Sequence, residues 1–246
     1  MSRITVVTAL RAESRSVLAA LARPRRVTGA RPPTWVGRAG SHCVTLVQVG
    51  IGSQAVRRAL PLLPTTDVFV SVGFAGGLAP ALVAGDLVVP TEIVWEEAGV
   101  LQRYAVPRGL RDGVERALAL EWGKASAGGA LFSSPIVVAG TSAKRSAAER
   151  HGAVAVDMEA AALAAHASEQ GVALFALRAI LDPADLSLER LPPGLETSWA
   201  ARARLATMPS VWPLLATLWR CVGVAAAALT RSARAALPAV STDSRG

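Results

Sequence analysis

Residues 70–90 have the sequence VSVGFAGGLAPALVAGDLVVP, in which an apolar run ends at Gly73, Gly76 and Gly77. Glycines at the carboxyl end of a strand let the backbone approach a flat or phosphorylated ligand closely. Glycine is also the usual residue of a tight turn after a strand. This stretch therefore predicts a buried strand that ends either in a ligand-binding loop or in a plain turn.

Similar apolar runs recur along the chain and predict further strands, at 4–10, 43–49, 67–73, 86–94, 135–140, 153–158 and 173–180. Stretches with helical spacing lie between several of them, at 12–22, 53–63, 109–122, 142–150 and 159–170. Apolar strands that alternate with helices indicate an α/β fold with a largely parallel sheet covered on both faces. We expect a ligand at the carboxyl ends of these strands and insertions in the loops at 23–41 and 183–198.

Composition limits the class of protein. The chain has 246 residues, enough for one α/β domain with a sizeable core. Hydrophobic residues make up 52% and charged residues 18%, which excludes a disordered chain because such chains lack apolar surface to bury. Aromatic residues make up 4%, without a basic stripe interleaved with aromatics, so we expect no nucleic-acid partner.

The cysteines and histidines predict no metal site and no cofactor. Cys43 and Cys221 have neither a metal-ligand nor a redox spacing, and His42, His151 and His166 lie far apart. Two cysteines are too few for a secreted disulfide framework. The first predicted strand begins near the N-terminus and leaves no room for a secretory leader, so we expect a cytoplasmic protein.

Positive charge is concentrated at the two ends of a chain whose formal net charge is +8. Residues 1–60 contain ten arginines and one acid, and residues 199–246 contain six arginines and one acid. Such ends either form ordinary solvated faces or are attracted to anionic lipid headgroups or to nucleic acid through the same long-range field.

The C-terminal stretch 212–229, WPLLATLWRCVGVAAAAL, approaches the length of a membrane span, but Arg220 lies in its middle. A charge at the bilayer centre is costly. The sequence therefore favours either a last helix packed on the sheet or an interfacial helix with peripheral membrane contact. We predict a catalytic domain over residues 1–198 and an apolar, basic helical extension over 199–246, continuous with that domain.

Two acids follow the strand predicted at 153–158. Asp157 and Glu159 lie where this strand passes into an Ala-rich helix, and acids at a helix N-terminus complement the helix dipole. Capping is therefore one interpretation of the pair. The other is that Glu159 accepts hydrogen bonds from a vicinal diol.

Two other predicted strands also end in charged residues. Arg178 and Asp182 leave the strand at 173–180, and Asp182 precedes a proline, where an Asp is often only a turn residue. Glu13 follows the first strand between two arginines, which either pair with it or favour an anion there.

Taken together and in this order, these elements resemble the purine nucleoside phosphorylase and uridine phosphorylase superfamily, in particular its methylthioadenosine/S-adenosylhomocysteine nucleosidases. The resemblance runs from residue 4 to about residue 185 and rests on the acid at residue 13 and the segments 50–52, 73–86, 157–162 and 178–182. It implies a single-domain, three-layer α/β/α fold with a mixed, largely parallel central sheet. It also implies cleavage of an N-glycosidic bond, a homo-oligomer and no cofactor, with phosphate as an optional co-substrate.

The resemblance further implies roles for individual residues. Asp182 matches the acid that protonates or hydrogen-bonds to the purine N7, so that adenine leaves as a neutral base. Glu159 and Met158 match the residues that hold the ribose hydroxyls and pack on the sugar. Glu13 matches the acid that orients or activates the attacking water, and Arg178 matches an arginine beside the nucleophile.

Four more residues complete the predicted substrate site: Phe74, Ala75, Gly76 and Val137. Phe74 stands where the family pattern has Ser or Thr, which removes a hydroxyl from the nucleophile pocket. Val137 lies in a segment that lacks the aromatic stacking partner of the nucleosidases. The predicted pocket is therefore drier than that of a typical nucleosidase.

Phe74, the segment 182–185 and the apolar C-terminal region look like the subgroup of hopanoid-associated phosphorylases. For that subgroup the implied substrate is adenosylhopane, a nucleoside linked to a lipid, and the products are adenine and ribosyl- or phosphoribosylhopane. Apolar residues of the C-terminal region would then lie near the membrane, namely Trp199, Trp212, Leu214, Leu215 and Trp219.

Alternatives remain open. One is a nucleosidase for a soluble nucleoside such as methylthioadenosine, S-adenosylhomocysteine or futalosine. Another is a catalytically reduced, membrane-associated binding protein. The attacking group is open as well, because Glu13 favours water whereas the subgroup's name favours phosphate.

Overall fold

The computed structural model describes residues 2–122, 126–192 and 208–240. It contains eleven strands: β1 (Arg3–Thr8), β2 (Ala22–Arg26), β3 (Thr34–Ala39), β4 (His42–Gln48), β5 (Val68–Gly77), β6 (Leu87–Val88), β7 (Glu92–Glu97), β8 (Val100–Ala105), β9 (Ala130–Ser133), β10 (Ala153–Asp157) and β11 (Ala173–Asp182). The α-helices are α1 (Arg11–Ala20), α2 (Ser53–Ala59), α3 (Arg108–Trp122), α4 (Thr141–His151), α5 (Ala160–Glu169) and α6 (Trp212–Ala239). Short 3₁₀ turns span Leu60–Leu62 and Pro209–Val211.

One mixed sheet contains all the strands, in the order β2-β3-β4-β1-β5-β10-β9-β7-β8, with β11 paired to β5 and β6. The long strand β5 lies at its centre and is parallel to both β1 and β11. Antiparallel pairing occurs mainly toward the edges, as in β2–β3 and β7–β8. This arrangement places the carboxyl ends of β1, β5 and β11 together, where a ligand site is expected in such sheets.

Helices cover both faces of the sheet, so the fold has the predicted three α/β/α layers. On one face, apolar residues of α1, α3 and α6 pack with β1, β5 and β11 in one cluster. On the other face, α2 and α5 pack in a second cluster, in which α5 contributes mostly alanines. Small side chains allow this helix to lie close to the sheet.

Helix α6 corresponds to the C-terminal helix that the sequence predicted. Its second half packs in the core. Its buried residues follow the helical spacing of one face: Ala225, Ala228, Leu229, Ser232, Ala233, Ala236 and Leu237. The first half is largely exposed, with Trp212 and Trp219 at 55% and 83% exposure. By length and composition the helix over Pro209–Ala239 could cross a membrane, although core helices pass the same criteria. The predicted domain boundary at 198/199 and Trp199 lie outside the described residues.

The predicted strand at 135–140 is wrong. Strand β9 ends at Ser133, and residues 135–140 form an irregular loop. Pro135 has no N–H to donate to a sheet, and the Ser134 hydroxyl donates to the carbonyl of Ile136 (2.6 Å) in a local turn. The loop therefore leaves the sheet and reaches the ligand side of the molecule.

The expectation of an insertion loop at 23–41 is also wrong, because β2 and β3 form an antiparallel hairpin there. Strand β2 lies at the sheet edge, where a proline is tolerated because one row of backbone groups has no strand partner. Its arginines are exposed, so the segment lacks the apolar pattern of a buried strand. The predicted strand at 86–94 is divided into β6 and β7, and β8 was not predicted.

Candidate active site

A cavity of about 240 Å³ lies at the carboxyl ends of β1, β5, β10 and β11. Eight of the nine predicted site residues line it: Glu13, Phe74, Ala75, Gly76, Val137, Met158, Glu159 and Asp182. The ninth, Arg178, lines a smaller adjoining cavity of about 10 Å³, which shares Glu13 and Glu159 with the larger one. The structure thus brings together residues from five separate segments of the chain, while their individual roles stay predictions.

Glu13 is buried under the backbone of β5. One carboxylate oxygen accepts the N–H groups of Ala9 and Leu10, both at 2.8 Å, and the other accepts the N–H of Phe74 at 2.9 Å. Burial raises the pKa of Glu13 above its ordinary 4.5, whereas these hydrogen bonds and the charge of Arg178 oppose the rise. The carboxyl is therefore held in one orientation at the junction of the two cavities.

Glu159 lies at the start of α5 and faces the cavity. It accepts a hydrogen bond of 2.6 Å from the N–H of Gly52, whose backbone has a φ of 87°. The turn 50–52 is thus tied to the opposite side of the site. Burial and the negative charge of Asp157 raise the pKa of Glu159 to about 7. Near neutral pH this group can therefore either accept a hydrogen bond from a hydroxyl or donate one to it.

Asp157 also lies at the cavity wall, but its carboxylate is hydrogen-bonded to protein groups and not free to face the cavity. It accepts the N–H of Ala160, the first residue of α5, at 2.9 Å, and so satisfies one donor of the helix N-terminus although Glu159 occupies the N-cap position. It also accepts a hydrogen bond from the hydroxyl of Ser133 and forms a buried ion pair of 2.5 Å with Arg178. The two neighbouring acids thus differ, since the carboxylate of Asp157 is engaged by protein partners whereas that of Glu159 faces the cavity.

Arg178 is 2% exposed and all five of its N–H groups have protein acceptors. Nε and one Nη2 hydrogen go to Asp157, and the other goes to the Ser71 hydroxyl at 2.7 Å. Nη1 donates to the carbonyls of Ser71 and Leu177 at 2.8 and 3.1 Å. The guanidinium therefore supplies positive charge next to Glu13, but it has no spare donor for an anion in this arrangement.

Asp182 forms an ion pair with a residue that the sequence analysis missed. Lys144 on α4 is fully buried, and its Nζ lies 2.7 Å from Oδ2 of Asp182. Burial raises the pKa of Asp182 above its ordinary 3.8, and the ammonium of Lys144 opposes that rise. One signal could have pointed to this residue, because the chain has only two lysines among 26 basic residues.

The remaining wall of the cavity is apolar, as the departures from the family pattern predicted. Phe74 and Leu181 line it together with the loop 135–140. In that loop Ile136 and Val137 are 70% and 46% exposed. A carbonyl in this loop, that of Ala139, accepts the N–H of Leu188 at 2.8 Å, which ties the loop to the segment after β11.

In the described part of the chain, no group of three or more His, Cys, Asp or Glu is placed to hold a metal ion. The ionisable groups of the site are instead paired with arginine, lysine or backbone N–H groups. These pairs are suited to proton transfer and to binding hydroxyl groups.

Comparison with known proteins places the chain in a family. The sequence profile described as "Phosphorylase superfamily" matches residues 3–205, and the chain therefore belongs to this superfamily. The predicted class, an enzyme of the nucleoside phosphorylase and nucleosidase type, is confirmed at this level.

Curated relatives of the chain are 5'-methylthioadenosine/S-adenosylhomocysteine nucleosidases. The protein of that name from Actinobacillus succinogenes is 30% identical over 167 residues, covering 61% of this chain and 72% of that protein. The one from Pseudoalteromonas translucida is 32% identical over 93 residues, and the chain spans only 40% of its length.

Solved structures confirm the predicted fold class. The Neisseria meningitidis nucleosidase in complex with methylthio-immucillin-A matches with a TM-score of 0.76 and 20% identity, covering 97% of this chain and 99% of that one. A futalosine hydrolase mutant of Helicobacter pylori matches with a TM-score of 0.70 and 17% identity, covering 94% and 98%.

Proposed function

We propose that this protein is a nucleosidase, which uses water to cleave the N-glycosidic bond of an adenosyl nucleoside. The observation that carries the proposal is that two buried carboxyl groups, Glu13 and Asp182, line one cavity of about 240 Å³. Breaking this bond builds positive charge on the sugar and negative charge on the base. A general acid beside the purine can neutralise its negative charge, and a general base beside the attacking water can activate that water toward the sugar.

In the proposed reaction Asp182 donates a proton to N7 of the purine as the bond between C1' and N9 breaks. Adenine then leaves as a neutral molecule. Glu13 accepts a proton from the water whose oxygen bonds to C1', so the net change is the addition of one water. Glu159 holds the ribose hydroxyls, and Met158 packs on the sugar.

Three features of the site favour water over phosphate as the attacking group. All five N–H groups of Arg178 are already bonded within the protein. Glu13, Asp157 and Glu159 place carboxyl groups around this single arginine, which disfavours a phosphate dianion. The smaller adjoining cavity of about 10 Å³, which Arg178 lines, has the size of one water molecule and is too small for phosphate.

The test is adenine release from methylthioadenosine and S-adenosylhomocysteine, with and without phosphate. We expect release without phosphate by the wild type and a loss of about 10²–10⁴-fold in kcat for Asp182→Asn. The matched control is Asp67→Asn, which removes a surface carboxyl paired with Arg3 and should leave the rate unchanged. Release that requires phosphate would overturn the choice of water, and no release from either nucleoside would redirect the search for substrate.

A second candidate substrate, adenosylhopane, is favoured by the apolar wall of the cavity. Phe74, Ile136 and Val137 offer no polar group to a hydrophilic 5' substituent. The exposed first half of α6, with Trp212 and Trp219, would hold a cytoplasmic enzyme peripherally on the membrane that contains such a lipid. For a soluble nucleoside neither feature is needed, although the named relatives favour that alternative.

Direct competition separates the two substrates. If the lipid-linked nucleoside is the substrate, its kcat/KM in detergent should exceed that of methylthioadenosine, and Trp212→Ser/Trp219→Ser should weaken sedimentation with anionic vesicles. The same double variant should leave adenine release from methylthioadenosine unchanged. Equal sedimentation of variant and wild type would refute membrane contact through α6. Light scattering on the same samples tests the proposed homo-oligomer.

A further inference from the structure

Lys144 is a buried ammonium on α4 that is directed at Asp182, the proposed acid of the site. It lies 38 residues before Asp182 in sequence, on α4, and has no exposed surface. Its Nζ lies 2.7 Å from Oδ2 of Asp182. A lysine is buried in this way almost exclusively when its charge is paired.

The other contacts of Lys144 hold the chain immediately after β11. Nζ donates to the carbonyls of Pro183 at 2.7 Å and Leu186 at 2.9 Å, and more weakly to that of Asp182 at 3.3 Å. An ammonium has three N–H donors. With the carboxylate and two carbonyls as short partners, all three are used, and a neutral amine would donate only two.

Among the residues that the structure describes, Lys144 is the cationic group that lies against Asp182. On β5 Asp182 is faced by the uncharged Gly76, which also lies against the apolar Val156 of β10. Arg178, on the same strand, is committed to Asp157. The remaining titratable groups of the cavity are the carboxyls Glu13, Asp157 and Glu159. Near α4, Glu189 lies over Gly140, at the beginning of the helix.

We propose that Lys144 is the positioning residue of the catalytic acid, and that it fixes one oxygen of Asp182 while stabilising the carboxylate that remains after the proton has been given to the base. This inference rests on the proposed function. Because Lys144 occupies Oδ2, the proton to be donated is carried on Oδ1. The ammonium makes Asp182 a stronger acid than burial alone would allow, since it favours the ionised product of the transfer.

The test compares Lys144→Met with Lys144→Arg and with Arg145→Met. Methionine keeps the length of the apolar stem and removes the charge, whereas arginine keeps the charge. Arg145→Met is the matched control, because it removes one positive charge from an exposed position of the same helix. The first readout is the carboxyl ¹³C titration of Asp182, assigned by its disappearance in Asp182→Asn. The second is the pH profile of kcat and KM for adenine release.

For Lys144→Met we expect the midpoint of the Asp182 titration to rise by about 1–3 pH units. The alkaline limb of the rate profile should rise with it, and kcat should fall at least 10-fold because the acid is weaker. Lys144→Arg should restore most of the midpoint, and Arg145→Met should leave both readouts unchanged. An unmoved midpoint in Lys144→Met, with only KM or stability altered, would overturn the proposal and leave Lys144 as a clamp on residues 183–186.

If Lys144→Met does not fold, the double variant Lys144→Met/Asp182→Asn decides. Recovery of folding in the double variant supports the proposal, because the unpaired carboxylate is then the cause of unfolding. A double variant that is also unfolded overturns it in favour of the clamp. The titration needs no substrate. A wild type that releases adenine from none of the three candidate nucleosides, methylthioadenosine, S-adenosylhomocysteine and adenosylhopane, refutes the proposed function, while the coupling of Lys144 to Asp182 is still measured.

Discussion

Replacing Gly73 by alanine should displace the carboxyl of Glu13, whose atoms are the three nearest to a Cβ at this position. A Cβ at this position would lie 2.9 Å from Oε1 and 3.3 Å from Cδ of Glu13. The backbone of Gly73 does not have a positive φ, so alanine is compatible with its conformation. The substitution therefore tests the close approach of Glu13 to β5 and not the strain of the strand.

The expected magnitude follows from these distances. An ordinary carbon–oxygen contact is about 3.4 Å, so Oε1 must move by about 0.5 Å. Such a movement can lengthen the bond from the N–H of Phe74, now 2.9 Å, to the weak end of the hydrogen-bond range. Losing a hydrogen bond to a charged group costs about 1.5–3 kcal/mol. If this whole free energy is lost from the stabilisation of the transition state, kcat/KM falls by about 10–150-fold.

The substitution should also shift the pH profile of kcat/KM in one direction. The Phe74 N–H lowers the pKa of Glu13, so its loss lets burial raise that pKa further. A general base works in its ionised form, and the acidic limb of kcat/KM should therefore move to higher pH in Gly73→Ala.

Gly223→Ala is the matched control, because its Cβ meets no atom within 4 Å. It lies in α6, where alanine is the better helix former by about 1 kcal/mol, so Tm should stay or rise and the rate should not change. If Gly73→Ala keeps its rate within twofold of the wild type and its acidic limb does not move, the placement of Glu13 against β5 is not needed for activity.

Two further predictions concern stability. Because burial and Asp157 raise the pKa of Glu159 from 4.5 to about 7, its contribution to stability is fully present below about pH 4.5 and is lost as the pH rises through 7. Thermal unfolding between pH 4 and 8 should therefore show a flatter profile for Glu159→Gln than for wild type, and parallel profiles would contradict the raised pKa. Leu229→Ala, in the buried half of α6, should reduce the free energy of unfolding by about 2–5 kcal/mol. Leu120→Ala, at an 89% exposed position of α3, should change it by less than about 0.5 kcal/mol, and equal effects would show that α6 is not part of the core.

Much of the site could be predicted because its residues follow strands directly. Glu13, Glu159 and Asp182 each come at or just after the end of an apolar run, and parallel strands bring such ends to one edge. The loop at 135–140 was predicted as a strand because its run of apolar residues has the same local pattern as a buried strand. Only the absence of a sheet partner distinguishes them, and a partner is a property of the folded chain.

Lys144 could not be predicted as part of the site for a related reason. Its helix has no strong apolar pattern pointing to the cavity, and the Asp182 carboxylate that it pairs with lies 38 residues away in sequence. A long, flexible side chain reaches its partner only after α4 has packed beside β9 and β10.

The amino-acid sequence by itself determined the alternation of strands and helices, the glycines after β5 and the identity of the acids at the strand ends. These are local properties, set by side-chain periodicity and backbone freedom. The tertiary structure alone decided which of these groups remain available for chemistry. It commits all donors of Arg178 to Asp157, Ser71 and Leu177, leaves Glu159 facing the cavity and pairs Asp182 with Lys144. Each N–H and each oxygen forms a limited number of hydrogen bonds, so the partners that folding brings within 3 Å determine what each group can still do.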